Sequence, residues 1–149
     1  MGAATKYDTD FYGWTQAQAD ALKNRRVDDL DFENLLEEVE SMGASERRQM
    51  VSRLKVLMMH LLKWRHQPDR RGKSWELTIK EQRRRIPRHL KENPSLQAKM
   101  PDMLEEAYED ALFLAEAETG LHQSFFPVDC PWTLEQMLDA EFWPDTETQ

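Results

Sequence analysis

Large apolar side chains recur every three or four positions along most of this chain, and alternation of apolar and polar residues at period two is nowhere sustained. A repeat of three to four residues is typical of amphipathic α-helices, whereas half-buried strands need the period of two. Glycine and proline are sparse, with 5 and 7 occurrences in 149 residues. The pattern therefore predicts an all-α protein.

The N-terminal part of the chain predicts two helices. The first runs from about residue 10 to residue 24, and the second begins near Asp31, a good N-cap, and stops at Gly43. The apolar positions of these helices are Tyr7, Phe11, Trp14, Leu22, Leu35, Leu36 and Val39.

A third predicted helix, residues 45–66, has the widest apolar face. Five of its side chains fall within about 100° of arc, namely Met50, Leu54, Leu57, Met58 and Leu61. Val51, Leu62 and Trp64 widen that face on both flanks, so only a narrow strip of the helix, with Ser52, Lys55, Lys63 and His66, remains clearly polar. A helix of this kind is contacted on two or three sides, so we expect it at the centre of the fold.

The rest of the chain predicts a basic helix and an acidic helix. Ser74 can cap the basic helix, whose apolar side carries Trp75, Ile79, Ile86 and Leu90 and whose opposite side carries Lys80, Arg84, Arg88 and Lys91. Pro87 should kink or restart this helix, because it removes one backbone hydrogen bond and crowds the carbonyl of Arg83.

The acidic helix has Pro101 at its first position and stops at Gly120. A short last helix opens with the capping-box pair Thr133 and Gln136, and Phe142 and Trp143 should anchor the tail.

Length and composition favour one soluble domain over residues 1–149, built as a bundle of five or six helices with loose ends at 1–8 and 145–149. The single cysteine, Cys130, excludes an internal disulfide and fits a reducing compartment. The first thirty residues contain no secretory apolar region, and no apolar run is long enough to span a membrane. We expect a cytoplasmic protein that does not bind membranes.

Charge is divided sharply along the chain, although the whole chain carries −8. Residues 1–44 carry four basic and ten acidic groups, a net of −6. Residues 45–91 carry fifteen basic and four acidic groups, a net of +11, and residues 92–149 carry one basic and fourteen acidic groups, a net of −13. Such segregation indicates that charged faces contact a partner.

The basic stretch suggests which residues meet that partner: Arg65, Arg70, Arg71, Lys73, Lys80, Arg84 and Arg88. Arg65 to Lys73 should form an exposed rim, because the charged faces of the basic and acidic helices lie opposite their apolar sides. The leading hypothesis is a protein-interaction or regulatory module that uses its basic (45–91) and acidic (92–149) faces on another protein or on a second copy. The alternative is RNA or DNA binding through Arg65–Lys91, where tryptophans bracket a basic loop. The net charge of −8 argues against nucleic acid.

A third hypothesis is a helical enzyme or ligand-binding protein with a pocket formed by His60, Trp64 and Arg71, together with Trp75 and Gln82. The sequence gives it little support. No Glu-x-x-His or His-x-x-x-His pair offers a metal site, Cys130 has no neighbouring cation to activate it, and no nucleophile elbow or phosphate loop is present. We therefore expect no catalytic residue, no metal and no cofactor.

Several motifs in order resemble a known family: YDTDFYGWTQ, the spacing of Phe32 to Gly43, SERR, LMMHLLKW, QPDRR, SWELTIKEQR, EAYEDA, AEAETGL and CPWTLEQML. Together they resemble the bacterial family catalogued as domain of unknown function number twenty-nine. The resemblance covers about Tyr7 to Pro144 and is most specific from His60 to Arg83. It implies an all-helical single domain and no particular activity. His66 and Pro87 depart from the pattern, which makes them poor catalytic candidates.

Overall fold

In a computed structural model, residues 2–145 are described, with side chains from residue 6 onward. These residues form six α-helices and no β-strand, which confirms the all-α prediction. The helices are α1 (Gly2–Thr9), α2 (Phe11–Lys23), α3 (Phe32–His66), α4 (Lys73–Glu92), α5 (Met100–Thr119) and α6 (Leu134–Leu138). None of the helices in this described part has the length and apolar character that crossing a bilayer requires.

The chain divides into two compact units, Met1–Glu46 and Arg47–Gln149. The single domain over 1–149 stays a prediction. Of the ends expected to be loose, residue 1 and residues 146–149 lie outside the described residues, and residues 2–8 lie in α1.

The first unit is organised around Trp14. Its indole Nε1 donates a hydrogen bond to the Asp31 carboxylate at 3.0 Å, and its ring packs against Tyr7 and Phe11. The buried Gln18 amide joins α2 to the start of α3, because its Nε2 donates to the Asp29 carbonyl and its Oε1 accepts from the Asp31 backbone N–H. The α2 prediction is confirmed to within a residue, with Asp10 as the N-cap and Asn24 as the C-cap.

One prediction for this region is wrong. The second helix does not stop at Gly43, because α3 continues without a break from Phe32 to His66. A glycine stop needs the left-handed conformation, and Gly120 is the glycine that adopts it in the described chain. Of the apolar positions of these helices, Leu22, Leu36 and Val39 are each more than half exposed.

The second unit has its core on the C-terminal part of α3. Met50, Leu54, Leu57, Met58 and Leu61 are all fully buried, which confirms residues 45–66 as the central helix. They pack with apolar residues of α4, α5 and α6, including Ile79, Ile86, Met103, Ala107, Ala111 and Met137. Phe142 and Trp143 pack against this core as predicted.

The observed caps of α4, α5 and α6 agree only in part with the predicted ones. Helix α4 begins at Lys73 with Gly72 as N-cap, so the predicted cap at Ser74 is wrong. Pro87 lies inside α4 without splitting it. Helix α5 ends at Thr119, and its C-cap Gly120 has the φ of +78° that a left-handed C-cap requires. Thr133 and Gln136 form the predicted capping box at the start of α6.

Candidate functional site

The basic segment after α3 does not form one exposed rim. Arg70 and Lys73 are exposed, but Arg65 is only 9% exposed and Arg71 is half-buried. Arg71 Nε donates a hydrogen bond to the Trp64 carbonyl at 2.6 Å. That carbonyl lies in the last turn of α3, where backbone oxygens have no partner within the helix. The predicted rim is therefore wrong at Arg65 and Arg71, and Arg71 serves to cap α3.

Arg71 also belongs to a cluster of two arginines and two tryptophans. The Trp64 and Trp143 rings lie 4.5 Å apart between centroids. The Arg71 guanidinium carbon lies 5.1 Å from the Trp64 ring centroid, and that of Arg83 lies 5.1 Å from the Trp143 ring centroid. Such cation–π contacts are favourable, and more so when water is excluded. The cluster holds residues 139–145, here called the C-terminal segment, against α3 and α4.

Arg83 is the second arginine of this cluster, and it is buried on α4. In the sequence it lies in the basic Arg65–Lys91 region, directly before Arg84 and Arg85, but it is only 8% exposed. Its Nε donates to the Met137 carbonyl and its Nη2 to the Phe142 carbonyl, both at 2.6 Å. Burial lowers the pKa of Arg83 from its ordinary value. The signal was present, because Arg83 lies four residues after Ile79 and three before Ile86 on the apolar side of α4.

Of the predicted pocket residues, Arg71 lies against Trp64, whereas His60, Trp75 and Gln82 have other surroundings. His60 Nδ1 is 2.8 Å from the Val56 carbonyl, and burial lowers the pKa of this imidazole. Trp75 lies beneath the ammonium of the buried Lys63, which is 4.8 Å from the ring centroid and 2.6 Å from Glu118 Oε1. Gln82 has a buried Oε1 without a hydrogen-bond partner. A cavity of about 120 Å³ beside the tryptophans is lined instead by Arg65, Pro131, Trp132, Gln136, Phe142, Trp143, Pro144 and Asp145.

The basic side of α4 faces solvent as the sequence predicts. The side chains of Lys80, Arg84 and Arg88 are 58%, 59% and 70% exposed. Each is paired with a glutamate of the same helix, namely Glu76, Glu81 and Glu92 respectively. These glutamates offset part of the positive charge offered to a phosphate backbone, which weighs against nucleic acid as the partner.

An open groove of about 500 Å³ runs along α5. It is lined by apolar residues and three acids: Leu104, Glu105, Tyr108, Glu109, Leu112, Val128, Asp129, Cys130 and Trp132. Burial raises the pKa of the Tyr108 hydroxyl, which donates to the Pro127 carbonyl, and also that of the Cys130 thiol. A thiol of raised pKa is mostly protonated at neutral pH and is a poor nucleophile. The groove therefore offers apolar contact and negative charge.

The first unit carries a surface that sequence reasoning missed. Phe32, Leu36, Val39 and Met42 share one side of α3 and are each about 60% exposed. We call this set the α3 stripe. Glu33, Glu37 and Glu40 are exposed beside it. The periodicity was visible in the sequence, but a stripe that packs in a core and a stripe that faces solvent have the same spacing.

No group of three or more His, Cys, Asp or Glu side chains in the described part of the chain is arranged to hold a metal ion. A family model with the description "Domain of unknown function DUF29" matches residues 6–143. No curated protein and no solved structure matches the chain.

Proposed function

The chain belongs to the family described as Domain of unknown function DUF29, and from that premise we propose that it is a protein-interaction module. Its partner presents a basic amphipathic helix, which binds along the α3 stripe. The segregated charges of residues 45–91 and 92–149 support the same class of function, because exposed faces of one sign select partners of the other.

The observation that carries the proposal is the exposure of the α3 stripe, whose four side chains are 63%, 59%, 58% and 62% exposed in chain order. Their spacing of four, three and three residues keeps them on one side of the helix over about 15 Å. Contiguous apolar surface of this kind marks interaction sites in soluble proteins. Partner helices are recognised through anchors at this spacing.

Charge selects the kind of helix that binds. Between Phe32 and Glu46 the chain has five glutamates and no lysine or arginine. A second copy would bring its own glutamates against these, and like charges across an interface are unfavourable. A helix with leucine-like anchors and flanking lysines or arginines satisfies both the stripe and its acidic border.

A labelled synthetic peptide tests the proposal by fluorescence anisotropy. The peptide is a lysine-rich helix with leucines at i, i+3 and i+7, and its control has the same composition with the leucines scattered around the helix. We expect saturable binding of the first peptide and at least tenfold weaker binding of the control. The double variant Leu36→Ser/Val39→Ser should lose binding, because it removes two anchors without touching the core.

Phe113→Ser is the matched control variant, because Phe113 is 68% exposed and lies on α5. It should bind the peptide as the unmodified protein does. Binding that does not saturate, or that Phe113→Ser weakens as much as the double variant does, would contradict the proposal. A photoreactive residue at position 36 then maps the contact in the native host, where the crosslinked segment should be basic and amphipathic.

A further inference from the structure

The exposed sides of α4 and α5 carry the same pattern in opposite directions. Along α4 the exposed positions are Lys73, Leu77, Lys80 and Arg84, separated by four, three and four residues. Read backwards along α5, Glu116, Leu112, Glu109 and Glu105 have the same separations; Glu105 and Glu109 are exposed, and Leu112 and Glu116 are half-buried. Each set lies on one side of its helix, because these separations span less than about a quarter of a turn.

We propose that α4 of one copy packs antiparallel on α5 of a second copy in this register. In an antiparallel pair, facing residue numbers have a constant sum, so Leu77 lies opposite Leu112, Lys80 opposite Glu109 and Arg84 opposite Glu105. Lys73, one turn before Leu77, lies opposite Glu116. Leu77, which is 54% exposed, enters the α5 groove between its acidic side chains. This contact lies on α4 and α5 and does not involve the α3 stripe, so it goes beyond the proposed function.

The charges of α4 and α5 pair only when the two helices run antiparallel. If the helices ran parallel with Leu77 still opposite Leu112, Lys80 would face Ala115 and Arg84 would face Thr119. Ala115 is fully buried, and neither residue is acidic. A shift by one residue rotates the facing set by about 100° and separates the charges. Only the antiparallel register pairs every cation with a carboxylate.

The two faces are not used on each other within one chain. The cations of α4 pair with Glu76, Glu81 and Glu92 of their own helix in the described structure. Exposed pairs of this type contribute little to stability, so exchanging them for the glutamates of a second copy costs little. The apolar contact of Leu77 with the groove is new, and it makes the exchange favourable.

The contact joins unlike faces, so two copies related by a two-fold axis can make it twice, whereas other arrangements extend head to tail. Sedimentation equilibrium of the full chain should therefore show masses above the 17.7 kDa of one copy at low ionic strength. Rising salt should return the protein to single copies, because exposed charges are screened. A mass of one copy at every concentration and salt level overturns the proposal.

Charge exchange supplies the sharper test. Lys80→Glu/Arg84→Glu and Glu105→Lys/Glu109→Lys should each abolish self-association, with at least a tenfold rise in the dissociation constant, and circular dichroism should show both still folded. Mixed together, the two variants should associate again, because the unmodified basic α4 of the second matches the unmodified acidic α5 of the first. The acidic α4 of the first also matches the basic α5 of the second. The control Arg48→Glu/Arg70→Glu makes the same change in net charge at exposed residues outside α4 and should associate normally. Failure of the mixture to associate, or equal loss in the control, overturns the proposed register.

Discussion

The indole rings of Trp64 and Trp143 meet with their centroids 4.5 Å apart, which brings the end of α3 into contact with the C-terminal segment. Arg71 and Arg83 each add a guanidinium over one of these rings and donate to backbone carbonyls nearby. Arginine suits this position, because its planar fork can bond a carbonyl and stack on an aromatic ring at once. The most basic stretch of the sequence therefore supplies part of the scaffold.

Two neighbouring arginines should respond differently to charge reversal. Arg71→Glu should lower the free energy of unfolding by about 3 kcal/mol, because it removes a charged hydrogen bond and a cation–π contact. Arg70→Glu should change it by less than about 0.5 kcal/mol, since Arg70 is exposed. Urea denaturation of both variants measures the difference. Equal effects would mean that Arg71 does not cap α3.

Arg83 should not be replaceable by lysine. Arg83→Lys keeps the charge but cannot reach both the Met137 and Phe142 carbonyls, so the free energy of unfolding should fall by about 2 kcal/mol. Amide hydrogen exchange in the C-terminal segment should become faster. Arg84→Lys is the control, because Arg84 is 59% exposed, and it should leave both measurements unchanged. A stable, slowly exchanging Arg83→Lys variant would contradict the arrangement.

A buried leucine and an exposed leucine of α3 provide a direct test of where the core lies. Leu57→Ala should lower the free energy of unfolding by about 2–5 kcal/mol, because Leu57 is completely buried. Leu36→Ala should change it by less than about 0.5 kcal/mol, because Leu36 is 59% exposed. Chemical denaturation gives both values. A loss below about 1 kcal/mol for Leu57→Ala would remove residues 45–66 from the centre of the fold.

Periodicity was enough to predict the helices and the core of the second unit. The five residues expected to be innermost on α3 are all buried, and the caps at Asp10, Gly120 and Thr133 lie where their residue types place them. These features depend on local geometry, which the sequence encodes within a few residues.

The sequence does not predict which side chains are buried where burial depends on contacts with distant parts of the chain. Leu36 and Leu57 both have apolar neighbours three or four residues away, yet only Leu57 is covered, because this spacing does not show whether another element packs on the stripe. The predicted exposed rim includes Arg71, and the sequence assigns no buried role to Arg83. Their carbonyl partners at Trp64, Met137 and Phe142 include positions far away in the chain, so a single sequence does not reveal them.

Asp31 should make stability depend on pH. Its pKa lies below the ordinary value because the Asn34 side chain donates to it, helped by the Trp14 indole, although partial burial opposes the shift. The stabilisation is therefore complete above about pH 4 and is lost as pH falls through the lowered pKa of the folded state. Asp31→Asn should be less stable than the unmodified protein at pH 6, and the difference should shrink below about pH 4. Urea unfolding monitored by tryptophan fluorescence at each pH measures the difference. Asp28→Asn is the control, because Asp28 is exposed.

Gly43 should be improved by a side chain, whereas Gly120 should not tolerate one. A Cβ at Gly43 meets no atom within 4 Å, and the residue lies inside α3. Gly43→Ala should therefore raise the free energy of unfolding by about 0.5–1 kcal/mol, because alanine has less conformational freedom to lose and favours the helix. Gly120→Ala should lower it by about 1 kcal/mol, since φ there is +78° and an L side chain is strained in that conformation. Thermal or urea unfolding of the two variants measures whether the free energy of unfolding rises or falls at each position. If Gly43 ended the helix in the left-handed conformation, as its sequence position first suggested, alanine would destabilise the protein at both sites.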